Sequence, residues 1–376
     1  MRIVVAPDSF KESMTAEVAA SAMVSGIRDV CYDVEVVKIP LADGGEGTAD
    51  ILNNYFGANR YKSEVTGPLG NMITVEYGVT TDNIAIMDVA SVIGLQLVSR
   101  DERNPLKTTS YGLGELIIDA LNRGARKFII GLGGSATNDG GIGMAQALGV
   151  ELTDQDGKSV PLGGEGLMKL KNISLKKIDP RLLDCTFTIA ADVRNKLLGD
   201  DGATFVYGAQ KGADHQMLQQ LEQGMENYVS VLKRDLQMDV TGTIGAGAAG
   251  GLGAAFYAFL DAEIKPGIDY IIELVELEQR ISEATLVFTG EGKIDDQTLQ
   301  GKVPLGVAKL AAKFDVPVVA IVGANKVTTD KIYEAGIRAI FPIVNEPMPL
   351  SDALDQAETL TRITVANVMR LFMNNY

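Results

Sequence analysis

The chain opens on an apolar, β-branched run at residues 2–6 (RIVVA), followed by a polar loop, PDSFKESMT, and then by Val18, Ala22, Gly26 and Val30 at helical spacing. Residues 34–39 (VEVVKI) predict the next strand, which runs into LADGGEGT at 41–48. The last third has the same strand–loop–helix order. It holds a strand at 285–289 (TLVFT), a helix over 303–314, a buried strand at 317–322 (PVVAIV), a helix over 328–335 stopped by Gly336, and a strand at 338–344. Such alternation predicts a parallel α/β sheet. A final helix is expected from Ser351, an N-cap after Pro347 and Pro349. Leu354, Ala357, Leu360, Thr364, Val368 and Leu371 then form a stripe that covers a sheet.

The middle of the chain is patterned differently. Within 72–98, ITVEYGV, the turn-forming Thr81-Asp82-Asn83 and IAIMDV read as a hairpin. A helix over 110–122 ends at Gly124 and leads into the strand 127–130 (KFII); 186–190 (TFTIA) is a further strand, and 151–184 is polar and irregular. The expected fold class is α/β in two domains. A Rossmann-like parallel-sheet domain is built from both chain ends, 1–66 plus 285–376. A mixed α/β domain, 67–284, is inserted into it, with the active site in the cleft between them. A continuous cut near 190 is the alternative.

Composition removes several function classes. With 34 basic and 49 acidic residues the net charge is −15, which argues against nucleic acid and against an anionic membrane surface as partners. An anionic substrate remains open if cations gather at one site. Two cysteines, Cys31 and Cys185, make neither a disulfide framework nor a zinc cluster, so a reducing, cytoplasmic setting is expected. The single histidine, His215, lies in a polar stretch and reads as a surface residue, which removes His-based metal sites and Ser-His-Asp triads. The N-terminal apolar run is stopped by Pro7 and Asp8, too early for a signal peptide. The uncharged stretch 240–260 is long enough to span a bilayer, but six of its 21 residues are glycine, so no membrane span is expected.

Glycine is in excess, 41 of 376, and the excess is clustered in motifs. The clearest is 131–141, GLGGSATNDGG, between a strand and a helix over 142–148. Glycine permits close backbone approach, and a helix N-terminus attracts phosphate. Gly133, Gly134, Ser135, Ala136, Thr137 and Asn138 are therefore the expected phosphate cradle, with Asp139 able to hold Mg²⁺ indirectly. The other reading is a tight strand-to-helix turn with ordinary capping residues.

Gly245-Ala246-Gly247-Ala248-Ala249-Gly250 is formally G-x-G-x-x-G. A dinucleotide site needs a preceding strand and a second strand ending in an acid. The lead-in VTGTI is short, and Pro266-Gly267 breaks the strand that should follow. Two other readings stay open: close packing of a buried helix, or phosphate or adenine contact by Gly245, Gly247, Gly250 and Gly251.

Three further loops follow predicted strands, where ligands bind in parallel sheets. They are Asp8-Ser9-Phe10-Lys11, Asp43-Gly44-Gly45-Glu46-Gly47-Thr48 and Thr289-Gly290-Glu291-Gly292-Lys293-Ile294-Asp295. Asp43 and Asp295 suit Mg²⁺, while Lys11 and Lys293 suit a transferring phosphate. Asp8, Ser9, Gly44, Gly45, Gly290 and Gly292 are expected to line the substrate. Each loop alone reads equally well as a solvated turn. Asp192 follows the strand TFTIA and can take a proton from a hydroxyl. Arg194 can grip a small carboxylate, and Lys211 is a weaker second cation. A surface ion pair is the alternative for Asp192 and Arg194.

Phosphate cradles, Mg²⁺ carboxylates and cations without a strong nucleophile fit phosphoryl transfer, which needs positioning and charge neutralisation. G-x-x-x-x-G-K-[ST] and the protein-kinase signatures are absent. The segments PDSFKESMTA (7–16), LADGGEGT (41–48), GLGGSATNDGG (131–141), ADVRNKLLG (191–199), GAQKGA (208–213), GAGAAGGLG (245–253) and TGEGKIDDQTLQGKVP (289–304) resemble, in order along the whole chain, the type I glycerate kinases. The resemblance implies ATP- and Mg²⁺-dependent phosphorylation of D-glycerate to 2-phosphoglycerate, and a two-domain fold with one domain inserted in the other. It leaves a monomer or homodimer open. Arg194-Asn195-Lys196 departs from an aspartate–x–asparagine–proline-like run that the resemblance leads one to expect. GLGGSAT also resembles the phosphate loop of kinases acting on galactose, homoserine or mevalonate. A non-catalytic nucleotide sensor and an NAD-dependent dehydrogenase are the readings from other classes.

Overall fold

The computed structural model describes residues 1–295, 298 and 302–373. The strands in chain order are β1 (Arg2–Val5), β2 (Glu35–Lys38), β3 (Asn59–Thr66), β4 (Met72–Val79), β5 (Ile84–Asp88), β6 (Lys127–Leu132), β7 (Glu151–Thr153), β8 (Asn172–Ser174), β9 (Thr186–Ala191), β10 (Glu263–Pro266), β11 (Leu286–Asp295), β12 (Val318–Lys326) and β13 (Ile337–Pro342). They divide between two compact units, Met1–Asp43 with Ile268–Tyr376, and Gly44–Gly267. The division falls outside the boundaries expected from sequence. Residues 44–66 belong with the inserted unit because β3 pairs with β4 along its full length, and 268–284 belong with the end-built unit.

The unit built from both chain ends has a parallel sheet in the order β13-β12-β11-β1-β2. Its strands are apolar because helices cover them. The helix Ala16–Arg28 starts at Thr15, whose hydroxyl accepts from the Val18 amide. It buries Ala19, Ala20, Met23 and Ile27. Gly26 has no side chain because the Arg362 carbonyl lies where its Cβ would be, so the helix Ala357–Met373 packs directly against it. That last helix differs from expectation. A separate turn of helix, Leu350–Asp355, carries Leu354; the long helix buries Val365, Ala366 and Met369 and leaves Leu371 exposed. Ser351 lies inside the first turn rather than capping it.

The inserted unit has a mixed sheet in the order β10-β9-β6-β5-β4-β3, with β10, β9, β6 and β5 parallel and the β3–β4–β5 meander antiparallel. Phe128 and Phe187 face each other across β6 and β9 with ring centroids 4.6 Å apart and anchor its core. The irregular stretch 151–184 contains the two-stranded β7–β8 sheet and short helical turns. Pro266 does not break its strand. It ends β10 at the sheet edge, where a missing N–H costs nothing. Among the described residues no helix is long and apolar enough to cross a membrane.

Candidate active site

In the end-built unit, the carboxyl ends of β1, β2 and β11 gather acid side chains. Asp8 follows β1, and its amide donates to the Gly290 carbonyl at 2.9 Å. Its carboxylate accepts from the Ser9 amide at 2.6 Å. Burial, then the charge of Asp43 and more weakly that of Glu291, push the Asp8 carboxyl up to about 7. Glu291 is buried and accepts from Thr298 Oγ1 at 2.7 Å and Lys302 Nζ at 3.0 Å. Burial raises its pKa in spite of those donors. Burial pulls Lys302 down, but Glu291, then Asp295 and Asp43, outweigh it and raise its pKa.

Thr289–Asp295 is not the loop expected from sequence. β11 continues through it, paired with β12 as far as Asp295 and Lys326. A Cβ at Gly290 would overlap the Ile321 carbonyl, so Gly290 is a buried packing position. Gly292 lets the Phe10–Lys11 backbone pass within 3.2–3.3 Å of where its Cβ would stand. Lys11 is exposed. Lys293 and Asp295 pair with each other at 2.7 Å. Among the described residues no three acid, histidine or cysteine side chains form a ready-made metal cage.

In the inserted unit, the carboxyl edge of the parallel strands carries the other motifs. β6 ends at Leu132, in register with Ala191 of β9, which is in register with Pro266 of β10. Gly133, Asp192 and Gly267 therefore leave the sheet side by side, one strand spacing apart. Gly134 is exposed, with φ +65, and Gly133 is half-buried. Asp192 is exposed, and its charge reaches the Tyr207 phenol, whose pKa rises first through burial and then through that charge. Arg194 is exposed; Asn195 accepts from Tyr207 Oη at 2.8 Å. The segment 44–47 crosses the same edge. The Asp88 carboxylate receives the Gly47 and Ala49 amides at 2.9 and 3.0 Å, and burial pushes it up to about 8. Buried Gly44 passes beside Gly267, and Gly45 beside Gly133.

Beyond Gly134 the loop turns inward. Ser135, Ala136, Thr137, Asn138 and Asp139 are all buried. Asp139 accepts from the Ser110 amide and hydroxyl and from the Gly141 amide at 2.8–3.0 Å. It fills the N-terminus of the six-residue helix Ile142–Ala147, which is therefore not the open phosphate site expected from sequence, and Asp139 is not offered to Mg²⁺. Lys211 is buried rather than presented to substrate. It donates to Ser135 Oγ at 3.0 Å and to the Thr137 carbonyl at 2.6 Å. The second glycine motif is buried packing. A Cβ at Gly250 would overlap the Thr137 carbonyl, one at Gly251 would stand 2.8 Å from Gly140 Cα, and one at Gly247 would overlap the Lys196 carbonyl. No strand precedes it, and Gly245 seals against Val193 and Ile264. Gly250 and Gly251 thus back the first loop at Thr137, Asn138 and Gly140, while Gly245 and Gly247 pack against the 193–196 segment.

Sequence reasoning missed Asp88, Thr298 and Lys302 and left Glu291 unassigned. Asp88 ends the apolar run IAIMD, the same signal that picked out Asp192 after TFTIA.

A model of the glycerate kinase family matches residues 3–373. The chain is 45% identical over 355 residues to the glycerate 2-kinase of Escherichia coli K12, covering 94% of this chain and 93% of that protein. It is 43% identical over 367 residues to a glycerate kinase of Halalkalibacterium halodurans, covering 97% of each. A solved structure from Salmonella typhimurium LT2 assigned to glycerate kinase 2 superposes with a TM-score of 0.89 at 43% identity, covering 100% of this chain and 99% of that one. With motifs, fold and likeness running end to end, the chain belongs to the glycerate kinase family.

Proposed function

We propose that this kinase transfers the terminal phosphoryl group of ATP to the 2-hydroxyl of D-glycerate and releases 2-phosphoglycerate and ADP. The observation that carries this reading is the near-full-length likeness to a glycerate 2-kinase, over a sequence that keeps its chemistry at strand ends. In the inserted unit, the backbone of Gly133 and Gly134 is the accessible part of the phosphate loop, and Ser135 to Asn138 fix its path. Asp192, exposed beside it, accepts the proton of the attacking hydroxyl. Arg194 offers a guanidinium to the glycerate carboxylate, and Gly44 and Gly45 border the same edge.

In the end-built unit the donor set suits a hard divalent cation. Burial, then the charges of Asp43 and Glu291, raise the Asp8 pKa in spite of the Ser9 amide and Lys11, and Mg²⁺ characteristically takes one or two carboxylates and leaves its other positions to phosphate and water. Asp43 and Asp295 would hold it, and when bound it neutralises charge on phosphoryl oxygens. Lys11 and Lys293 add positive charge for phosphate, and Asp8, Ser9 and Gly292 shape the loop around them.

ADP release measured with D-glycerate, L-glycerate, glycolate and lactate tests the reading. Turnover should need D-glycerate and stop on chelation of Mg²⁺. Preference for another hydroxy compound, or ATP binding without turnover, would overturn it.

A further inference from the structure

Lys211 stands out because its location and its chemistry disagree. It ends the helical turn Ala209–Lys211, between Gly208 and Gly212, and only 3% of it is exposed. Burying an ammonium is costly unless every donor is well placed. Burial holds Lys211 down to about 7 even though Asp139 attracts its charge. A methionine or leucine would fill the same volume without that penalty, so packing does not explain a lysine here.

Its two acceptors do explain it. Ser135 Oγ and the Thr137 carbonyl lie 76 and 74 residues earlier in sequence, both on the loop that follows Gly134. The loop is also tied at Gly134, whose carbonyl accepts from Leu95, at Ala136, which bonds Ile93 through its amide and Thr108 through its carbonyl, at Asn138, whose side-chain amide donates to Thr204 Oγ1 at 3.2 Å, and at Asp139 through Ser110. The hydroxyl of Thr137 and the side-chain oxygen of Asn138 are buried without a hydrogen-bond partner, so the side chains of Ser135 and Thr137 gain no tie from each other and Lys211 is the donor that joins the two residues. Gly250 lets the 245–251 segment pack against the Thr137 carbonyl, where a Cβ would overlap it.

We propose that Lys211 is a positioning residue for the phosphate loop: its ammonium pins Ser135 and Thr137, and so holds the Gly133–Gly134 backbone in the geometry that receives an anionic polyphosphate. This rests on the reading above that Gly133 and Gly134 contact the nucleotide. Lys211 itself is too deep to touch substrate.

The test uses Lys211→Met, with Gly134→Val as the control for the loop reading. Lys211→Met should fold, because relief of the buried ammonium's desolvation offsets the two acceptors left without a donor. Its KM for ATP should rise about tenfold or more, the worth of one charge-assisted hydrogen bond, while KM for glycerate at saturating ATP stays within about threefold. Amide exchange over 134–137 should quicken while β6 keeps its protection. A wild-type KM for ATP, unchanged exchange at 134–137, or an equal rise in both KM values would overturn the proposal. If Gly134→Val weakens ATP and Lys211→Met does not, the loop reading stands and the positioning role falls. If neither weakens ATP, both fall. Should Lys211→Met fail to fold, Lys211→Gln keeps a donor without the charge. An intermediate rise in KM for ATP with faster exchange at 134–137 supports the role, and wild-type behaviour in both refutes it.

Discussion

Asp8 gives a quantitative test of the acid cluster at the end of the parallel sheet. The side chain titrates at 3.8 when unperturbed and at about 7 in the folded chain. Between those values the folded protein keeps a proton that the unfolded chain has released. Stability from this group is therefore fully present below about pH 4 and is lost as pH rises through 7. The gap of roughly three units, at 1.36 kcal/mol each, makes the ionised cluster unfavourable by about 4 kcal/mol above neutrality. Asp8→Asn keeps the shape and an acceptor for the Ser9 amide but cannot ionise. At pH 8 without divalent ions the variant should be more stable by up to about 4 kcal/mol, a rise of about 10 °C in the transition of the unit that carries it. At pH 4 the two proteins should coincide. Scanning calorimetry at pH 4, 6 and 8 measures the difference. Added Mg²⁺ should narrow the gap at pH 8, because a cation takes over the proton's role. A variant no more stable than wild type at pH 8, or one stabilised equally at pH 4 and 8, refutes the reasoning.

Two further substitutions probe the inserted unit. Gly134→Val places a β-branched residue at φ +65 on an exposed turn, so calorimetric titration should show ATP affinity reduced about tenfold or more in a folded protein; unchanged affinity would return the loop to packing alone. Asp192→Asn should lower kcat by roughly 10²-fold with ATP affinity little changed. A near-normal kcat, or a loss mainly in Mg²⁺ dependence, would remove Asp192 from the role of base.

The strand-and-loop skeleton is legible in the sequence because buried parallel strands are short apolar runs with turn residues after them. β1, β6, β9 and β12 are recognisable for that reason, and so is the β4–β5 hairpin, whose turn is Thr81-Asp82-Asn83. β11 reads too short because TGEGKID looks like a loop. Its glycines sit where the Ile321 carbonyl and the Phe10–Lys11 backbone crowd in, a contact invisible in the linear chain. The G-x-G-x-x-G at 245–250 misleads for the same reason, since a glycine needed for close packing and one needed for phosphate look alike. Lys211 and Asp88 are illegible in a different way. A lysine beside glycine suggests an exposed cation, and only the fold brings Ser135 to it or carries Gly47 to Asp88.

Product regiochemistry tests the central claim most directly. The enzyme is incubated with ATP, Mg²⁺, D-glycerate and enolase, and no phosphoglycerate mutase. Phosphoryl transfer to the 2-hydroxyl gives a compound that enolase consumes at once, so phosphoenolpyruvate should form in step with ADP. Phosphoenolpyruvate that appears only after mutase is added would contradict the account.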